Sequence, residues 1–432
     1  MNSKVKLSNL TKGLLPLSLA ISVVLSGCAS FGKGIAEAVL EKTDGEDTRV
    51  CQVRGKPFAG IAPSLAKKHG KTKVLMVHGV GDRLAGYSTE FLEKLAKELG
   101  VTAKSSTYKD IQLVSPVQPE KNLGNLRITQ LKNADDSKEL LFYELTWSEI
   151  TRTQKELLSF DNSGEYSYKR AEVNDMMKKF GNDTGPDPII YLGDSRVQIL
   201  RAFSQSVCWM GKDGWEQLPM DSRVACTTTS SFSENTDRDA FIFISHSLGS
   251  RITIDGLQRL ASVLENPKKY STANYDVTPP PRMRQLLQQK NIQIFMLSNQ
   301  LPMLQLGREL PEVAGQKADY CHANGAHYSS RLFNQTNIIA FSDPNDLLSY
   351  AIPHHFSEKY LDSRLCINVT NVNINVAKIY DAFGMGKFAN PMEAHLGYTK
   401  DDRVIAMIAK GIGNAQVAPL VKEKCEWTEI TD

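Results

Sequence analysis

One short stretch of the chain carries residues suited to nucleophilic catalysis, Ser245-His246-Ser247-Leu248-Gly249. The apolar residues 241–245 predict a buried strand, and residues 251–264 predict a helix. A serine on a sharp turn between a strand and a helix stands clear of the sheet, and the helix N-terminus directs main-chain N–H groups toward developing negative charge. This context predicts Ser247 as a nucleophile.

The five residues resemble the nucleophile elbow of lipases and esterases of the α/β-hydrolase family, where Gly-His-Ser-Leu-Gly is a frequent form. Ser245 stands in place of the first glycine and is small enough for the turn. The resemblance covers about residues 75–410. It implies an α/β-hydrolase fold, a chain order of nucleophile, acid and histidine, an oxyanion loop after an earlier strand, and no cofactor.

The expected oxyanion loop follows the first apolar run, residues 74–77. It reads His78-Gly79-Val80-Gly81-Asp82 and is similar to the His-Gly loop of this family. Its glycines let the backbone turn so that an N–H can point at a substrate oxygen. We expect Val80 and Leu248 to be the two main-chain donors, and we expect no proton transfer by the histidine of this loop.

Two carboxylates compete for the role of the acid. Residues 337–341 predict a strand, and the loop after it contains Asp343 and Asp346. Asp346 has family-like neighbours, an Asn before it and aliphatic residues after it, and is therefore favoured. Asp343 lies closer to the strand end and stays the alternative. The carboxylate that is not used is expected to be a turn or helix-cap residue.

His395 is the candidate base, because it lies just before the final predicted helix, where this family places its histidine. His354 and His355 follow the acid too closely, with the last strand still to come, and His322 and His327 precede it. In the implied mechanism the histidine takes the proton of the serine, the carboxylate orients the imidazole, and water then releases the acyl group.

The leading interpretation is a membrane-anchored serine hydrolase that cleaves carboxylic esters, an esterase or lipase with an acyl-ester or lipid substrate. Two alternatives stay open. One is a non-catalytic envelope lipoprotein on a hydrolase scaffold, and the other is an amidase or peptidase that uses the same three residues. Arg251, just past the elbow, either contacts an anionic substrate or solvates its helix.

The N-terminus has the organisation of an export signal. Three lysines within the first twelve residues precede a mostly apolar run at 14–25, which is shorter than the roughly 20 residues that span a bilayer. The run ends in Leu25-Ser26-Gly27-Cys28, which resembles the bacterial lipobox. The resemblance implies removal of residues 1–27, lipidation of Cys28, and anchoring in the cell envelope. By the same resemblance, Ala29 after that cysteine implies retention in the outer membrane.

Composition and cysteine usage agree with an exported globular protein. The chain has 41% hydrophobic and 23% charged residues, a net charge of +3 and no basic block, which argues against a nucleic-acid partner. No Cys-x-x-Cys or Cys/His spacing suggests a metal site. Six further cysteines allow 15 pairings, with Cys208–Cys226 the first candidate. They are Cys51, Cys208, Cys226, Cys321, Cys366 and Cys425.

Apolar strands alternate with helical patterns, which predicts an α/β fold with a mainly parallel sheet and helices on both faces. Predicted strands lie at 74–77, 141–147, 241–245, 292–297, 338–341 and 366–374, and predicted helices at 88–99, 251–264 and 401–410. We assign residues 28–70 to a tether and 71–432 to the hydrolase domain. Within that domain, insertions are expected at about 101–140 (polar, β-rich decoration), 148–238 (a cap over the site) and 300–335.

Overall fold

The computed structural model describes residues 50–67, 70–163, 165, 170–227, 231–266, 269, 282–381 and 387–430. The predicted signal peptide and the lipidation site at Cys28 lie outside these residues.

Strands account for the centre of the molecule. They are β1 (Cys51–Arg54), β2 (Thr72–Val77), β3 (Thr102–Ser115), β4 (Gln118–Lys132), β5 (Glu139–Thr146), β6 (Ser222–Arg223), β7 (Ala240–His246), β8 (Asn291–Leu297), β9 (Gln335–Ser342), β10 (Ile367–Asn373), β11 (Ile379–Asp381), β12 (Lys387–Ala389) and β13 (Cys425–Thr428).

The α-helices of the described residues connect and cover these strands. They are α1 (Ala62–Leu65), α2 (Thr89–Leu99), α3 (Glu149–Ser159), α4 (Glu172–Thr184), α5 (Pro186–Leu192), α6 (Ser195–Met210), α7 (Ser231–Arg238), α8 (Gly249–Glu265), α9 (Met283–Leu287), α10 (Lys317–Cys321), α11 (Phe356–Tyr360), α12 (Pro391–Leu396), α13 (Asp402–Lys410) and α14 (Pro419–Lys424).

One mixed sheet of eleven strands runs in the order β13-β1-β10-β9-β8-β7-β2-β5-β4-β3-β6. All neighbours from β10 to β5 pair in parallel. Strand β4 pairs antiparallel with β5 and with β3, and β1 pairs antiparallel with β10. Strands β11 and β12 form a separate two-stranded sheet. The predicted α/β class with a mainly parallel sheet is therefore confirmed.

The central strands are buried on both faces. Every residue of β2 is buried. Leu75 and Val77 belong to the hydrophobic core on one face of the sheet, and Val74 and Met76 belong to the core on the other. Successive side chains of a strand point to opposite faces, so an apolar run of this kind requires a layer of helices on each side.

The order in which successive strands are added to the sheet switches from one side of β2 to the other. After β2 the chain forms β3, β4 and β5 on one side of β2. It later forms β7, β8, β9 and β10 on the other side. Loops that leave the carboxyl ends of two such neighbours diverge and form a crevice, which is the usual ligand site of an open α/β sheet. The crevice lies between the ends of β2 and β7.

The assignment of residues 28–70 to a tether is wrong at its C-terminal end. Cys51–Arg54 pairs with β10 and β13, so this segment is a strand of the sheet. Val53 and Ile61 are fully buried, and the Ile61 N–H donates to the carbonyl of Ile408. A four-residue strand with alternating buried and exposed positions is too short to produce a clear hydrophobic period in the sequence.

Residues 101–140, which were expected to be a polar insertion, also belong to the main sheet. The hairpin β3–β4 extends the main sheet beside β5. Ile111, Leu126 and Ile128 are fully buried in the core. The polar residues between them occupy the other face of the hairpin, which gave the sequence its polar character.

Residues 148–238 divide into a core part and a peripheral part. Helix α6 packs against α8 and buries Ile199, Ala202 and Phe203, so it belongs to the core rather than to a cap. Helices α3, α4 and α5 instead lie against the loop after β2, as described below. Between β8 and β9, residues 300–335 form loops, α10 and 3-10 turns.

Three disulfides join the six cysteines of the described chain. They are Cys51–Cys425, Cys208–Cys226 and Cys321–Cys366. The predicted pair Cys208–Cys226 is confirmed. Cys51–Cys425 ties the first strand to the last, across 374 residues of sequence.

Candidate active site

Ser247 lies on the turn between β7 and α8, as its flanking sequence predicts. Its φ angle is 54°, in the left-handed region that non-glycine residues rarely adopt. The turn brings the start of α8 against the end of β2. A side chain on Gly249 would place its Cβ 2.3 Å from the carbonyl oxygen of Val77, so this position requires glycine.

The loop after β2 packs directly on the serine. A Cβ on Gly79 would lie 2.6 Å from the Cβ of Ser247 and 2.9 Å from the carbonyl oxygen of His246. The Ser247 side chain is fully buried, and its Oγ makes no hydrogen bond to any described residue. The hydroxyl is therefore free to receive a partner at this point of the crevice.

The two predicted oxyanion donors flank this contact. Leu248 directly follows Ser247, and Val80 directly follows Gly79. Within the described part of the chain, neither main-chain N–H donates a hydrogen bond. Unengaged main-chain N–H groups at these two positions are what the expected oxyanion role requires.

His78 supports the loop and is buried at its base. Its Nδ1 donates to the carbonyl of Gly79 at 2.7 Å, and its Nε2 accepts from the Trp147 N–H at 3.1 Å. These partners require a neutral imidazole with the proton on Nδ1. Burial lowers the pKa of His78 to about 3, and its ring stacks on the Trp147 ring at 4.7 Å. The expectation that this histidine transfers no proton agrees with these contacts.

His395 reaches the elbow from α12. Asn390 caps this helix, since its side chain accepts from the N–H groups of Met392 and Glu393. The Nε2 of His246, the residue before the serine, donates to the carbonyl of His395 at 2.8 Å. Because of this bond, the backbone of His395 is held beside the elbow. His246 itself stays neutral, because burial lowers its pKa to about 3.

Asp346 is the carboxylate that contacts the imidazole of His395. Its Oδ1 and Oδ2 lie 3.0 and 3.2 Å from the Nδ1 of His395. Burial alone would raise the pKa of Asp346, but the contact with His395 and hydrogen bonds from the Ser298 hydroxyl and the Leu348 N–H outweigh it and lower this pKa. The carboxylate therefore stays ionised, and the Nε2 of His395 has no partner among the described residues.

Asp343, the alternative acid, does not contact His395. Its Oδ2 accepts from the N–H groups of Val376 and Ala377 at 2.6 and 3.1 Å. Its Oδ1 accepts from the main chain and side chain of Asn345. The carboxylate is thus used to join the β9 and β10 loops, which agrees with the expected turn role of the unused residue.

Sequence reasoning missed Ser298 and Tyr398. The Ser298 hydroxyl donates to Asp346 Oδ2 at 2.7 Å and lies 2.9 Å from His395 Nδ1. Tyr398 accepts from the Asp343 N–H and donates to Asp346 Oδ2 at 3.2 Å. The available signal for Ser298 was its place directly after β8, at the same sheet edge as the other site residues.

Helices α3–α5 hold the oxyanion loop from outside. Asp187 Oδ2 accepts from the Gly81 N–H at 2.7 Å, and Asp183 accepts from the Asp82 N–H at 3.1 Å. The ammonium group of Lys155 lies between these carboxylates, 2.8 Å from Asp82, 3.1 Å from Asp183 and 3.3 Å from Asp187. The position of the loop therefore depends on helices that are distant in sequence.

The chain was also compared with metal-binding and membrane-spanning patterns and with known proteins. Across the described ranges, no group of three or more His, Cys, Asp or Glu side chains is placed to hold a metal ion. No helix of those ranges is long and apolar enough to cross a bilayer. No protein-family model, curated protein or solved structure matches the chain.

Proposed function

We propose that this chain is a serine hydrolase of the α/β-hydrolase kind that cleaves carboxylic esters. One observation carries the proposal: Ser247 lies on a strained strand-to-helix turn, between the unengaged N–H of Leu248 and the loop that carries the unengaged N–H of Val80, and next to His246, which holds the backbone of the Asp346-paired His395. These are the groups that acyl transfer needs, on the loops where the sheet order places a ligand crevice.

In the proposed reaction, His395 Nε2 accepts the proton of Ser247 as its Oγ attacks the ester carbonyl. Asp346 holds the Nδ1–H tautomer and stabilises the imidazolium. The N–H groups of Val80 and Leu248 stabilise the oxyanion, and a loss of one such donor typically costs about 10²–10³ in turnover. The alcohol leaves with the proton from His395. Water then attacks the acyl-enzyme, with the same histidine as base.

The surroundings of the site support an apolar acyl group. Leu84 in the oxyanion loop region, Leu347 beside the acid and Leu306 after β8 expose 80%, 72% and 77% of their surface. A lipid anchor on Cys28 would hold the enzyme at a bilayer, so acyl lipids are the proposed substrates and the outer membrane is the proposed location. We propose neither a cofactor nor a nucleic-acid partner.

The test compares the mature chain from residue 28, with Cys28 replaced, with its Ser247→Ala variant. Ser204→Ala is the matched control, because Ser204 lies on α6 and bonds only the carbonyl of Leu200. Each protein is treated with a fluorophosphonate probe and with p-nitrophenyl esters of increasing chain length, with and without lipid vesicles. The vesicles are included because the Ser247 side chain is fully buried in this structure.

We expect the parent and Ser204→Ala proteins to be labelled and to hydrolyse the esters, and Ser247→Ala to do neither. Equal labelling of all three proteins, or no labelling even with vesicles, would contradict the proposal and favour a non-catalytic envelope protein. A matched panel of amides separates an amidase from an esterase.

A further inference from the structure

A cluster of charged side chains beside the candidate active site has more positive charge than its structural role requires. Asp255, on α8, is fully buried, and its Oδ2 accepts from Tyr191 at 2.8 Å, Arg196 at 3.0 Å and Arg308 at 2.8 Å. Its Oδ1 lies 2.6 Å from Arg251. Three guanidinium groups thus converge on one carboxylate.

The charge of this cluster is not balanced from within. One arginine is sufficient to neutralise Asp255, so two positive charges remain. Asp255 is the carboxylate that stabilises both Arg196 and Arg308 electrostatically. Burial lowers the pKa of Arg308, and repulsion by the other two arginines lowers it further, against the attraction of Asp255. Uncompensated charge is costly where it is buried, as at Arg251 and Arg308, so an anion bound beside these groups would stabilise the cluster.

The cluster also has unused hydrogen-bond donors. The Arg251 side chain is 3% exposed and donates to the Gln305 side chain at 2.9 Å, but its Nε has no partner among the described residues. The Nε of Arg196 is likewise unpartnered. Arg196 is 40% exposed and Arg308 is 10% exposed, so the cluster opens to solvent on their side. Guanidinium groups with free N–H donors are suited to bidentate binding of carboxylate or phosphate.

The cluster is built on segments that also form the candidate active site. Arg251 lies in the first turn of α8, four residues after Ser247. Gln305 and Arg308 follow β8 in the same loop as Ser298, which contacts His395. Tyr191 lies on α5 with Asp187, which holds the oxyanion loop. The arginines therefore share α8 and the loop after β8 with residues of the candidate active site.

The geometry points to Arg196, Arg251 and Arg308 as a binding site for the anionic group of the substrate, a carboxylate or phosphate carried by the ester that Ser247 cleaves. This assignment rests on the proposed hydrolase function and narrows its substrate class to anionic esters. Asp255 orients the three guanidinium groups, and the bound anion supplies the missing negative charge. This proposal adopts the first of the two interpretations of Arg251, contact with an anionic substrate, as part of the cluster rather than alone.

The first measurement tests the site independently of catalysis. Thermal unfolding of the parent chain and of Arg308→Gln, Arg196→Gln and Arg223→Gln is followed against inorganic phosphate, at constant ionic strength set with KCl. Arg223, exposed on the edge strand β6, controls for the loss of one positive charge. We expect phosphate to raise the Tm of the parent and Arg223→Gln saturably, and to raise that of the other two variants much less. No saturable effect on the parent would overturn the assignment.

The second measurement compares p-nitrophenyl esters of equal length whose acyl chains end in a carboxylate or in a methyl group. We expect Arg308→Gln and Arg196→Gln to lower kcat/KM for the carboxylate ester by about 10-fold or more, mainly through KM, and to leave the methyl ester unchanged. Phosphate binding without this discrimination would overturn the substrate role and indicate a free-anion site. Absence of turnover with both esters would contradict the hydrolase proposal, while the phosphate measurement still tests the site.

Discussion

His395 contacts Asp346 through Nδ1, which leaves Nε2 free to act on Ser247. Asp343, three residues earlier, has the same side chain and is also buried, but its partners among the described residues are main-chain N–H groups and the Asn345 side chain. The two carboxylates therefore differ in partners rather than in chemistry, and substitution of each should have a different consequence.

We predict that Asp346→Asn lowers kcat by about 10³- to 10⁴-fold, because the amide favours the wrong imidazole tautomer. Asp343→Asn should instead lower the free energy of unfolding by about 1–3 kcal/mol, with little change in kcat, because it weakens the acceptors of the Val376 and Ala377 N–H groups. Steady-state kinetics and urea unfolding of both variants separate the two effects. The reverse pattern would identify Asp343 as the acid.

The buried histidines predict a loss of stability in acid. The pKa of His246 is lowered by burial from 6.5 to about 3, so the unfolded chain binds a proton that the folded chain excludes between these values. Stability should therefore fall as the pH decreases from 6.5 toward 3, by about 1.4 kcal/mol per pH unit for this histidine. His246→Gln keeps a donor for the His395 carbonyl but does not titrate. Urea unfolding at pH 4 to 7 should show a shallower pH slope for this variant, and an unchanged slope would contradict the assignment.

At the scale of elements, the oxyanion loop is held by α3–α5 through carboxylates that accept from its N–H groups. Asp187 is fully buried and bonds Gly81, the residue after the proposed donor Val80. A shift of this loop would move the Val80 N–H away from the oxyanion. If the proposed reaction takes place, the helices between β5 and β7 contribute to it by holding this loop in position rather than by contact with the serine.

We predict that Asp187→Ala lowers kcat by up to about 10²-fold with a smaller change in KM, because Gly81 loses its acceptor and the loop loses its position. Asp187→Asn retains an acceptor oxygen and should keep more of the activity, even though both variants lose the contact with Lys155. The kcat of the two variants is compared after thermal unfolding has shown comparable folding. Equal kcat values would mean that Asp187 has only a structural role.

At the scale of the molecule, the Cys51–Cys425 disulfide and the pairing of β1 with β13 close the chain at one edge of the sheet. A crosslink reduces the entropy of the unfolded chain, and the effect grows with the length of the loop that it closes. The three disulfides differ widely in this length, from 18 residues for Cys208–Cys226 to 374 for Cys51–Cys425.

We predict that replacement of Cys51 and Cys425 by serine destabilises the protein by about 2–3 kcal/mol more than the same replacement of Cys208 and Cys226, from the difference in loop length. Guanidinium unfolding of both double variants, under oxidising conditions, gives the two free energies. A larger loss for the short loop would show that local packing around Cys208, rather than chain entropy, dominates.

Elements with strong local signals can be recognised from the amino-acid sequence alone. The apolar runs of β2, β7, β8 and β9 are buried on both faces, so their composition alone indicates strands of a parallel sheet. The turn at Ser247 needs small residues around it. Gly249 on the turn and Gly79 in the facing loop meet this need, and both glycines can be recognised in the sequence. The disulfide Cys208–Cys226 could be predicted from the sequence because few residues separate the two cysteines.

Contacts between groups that are distant in sequence become evident in the folded chain. Asp343 and Asp346 are both plausible by sequence, and the choice depends on the path of the β9 loop relative to α12. Ser298, Tyr398 and the arginines around Asp255 come from separate segments, so no local spacing relates them. The strand at 51–54 is too short to have a measurable period, and it is a strand because β10 and β13 supply its hydrogen bonds. Local patterns specify elements, whereas contacts between elements specify the site, because those contacts depend on chain crossings that no single segment encodes.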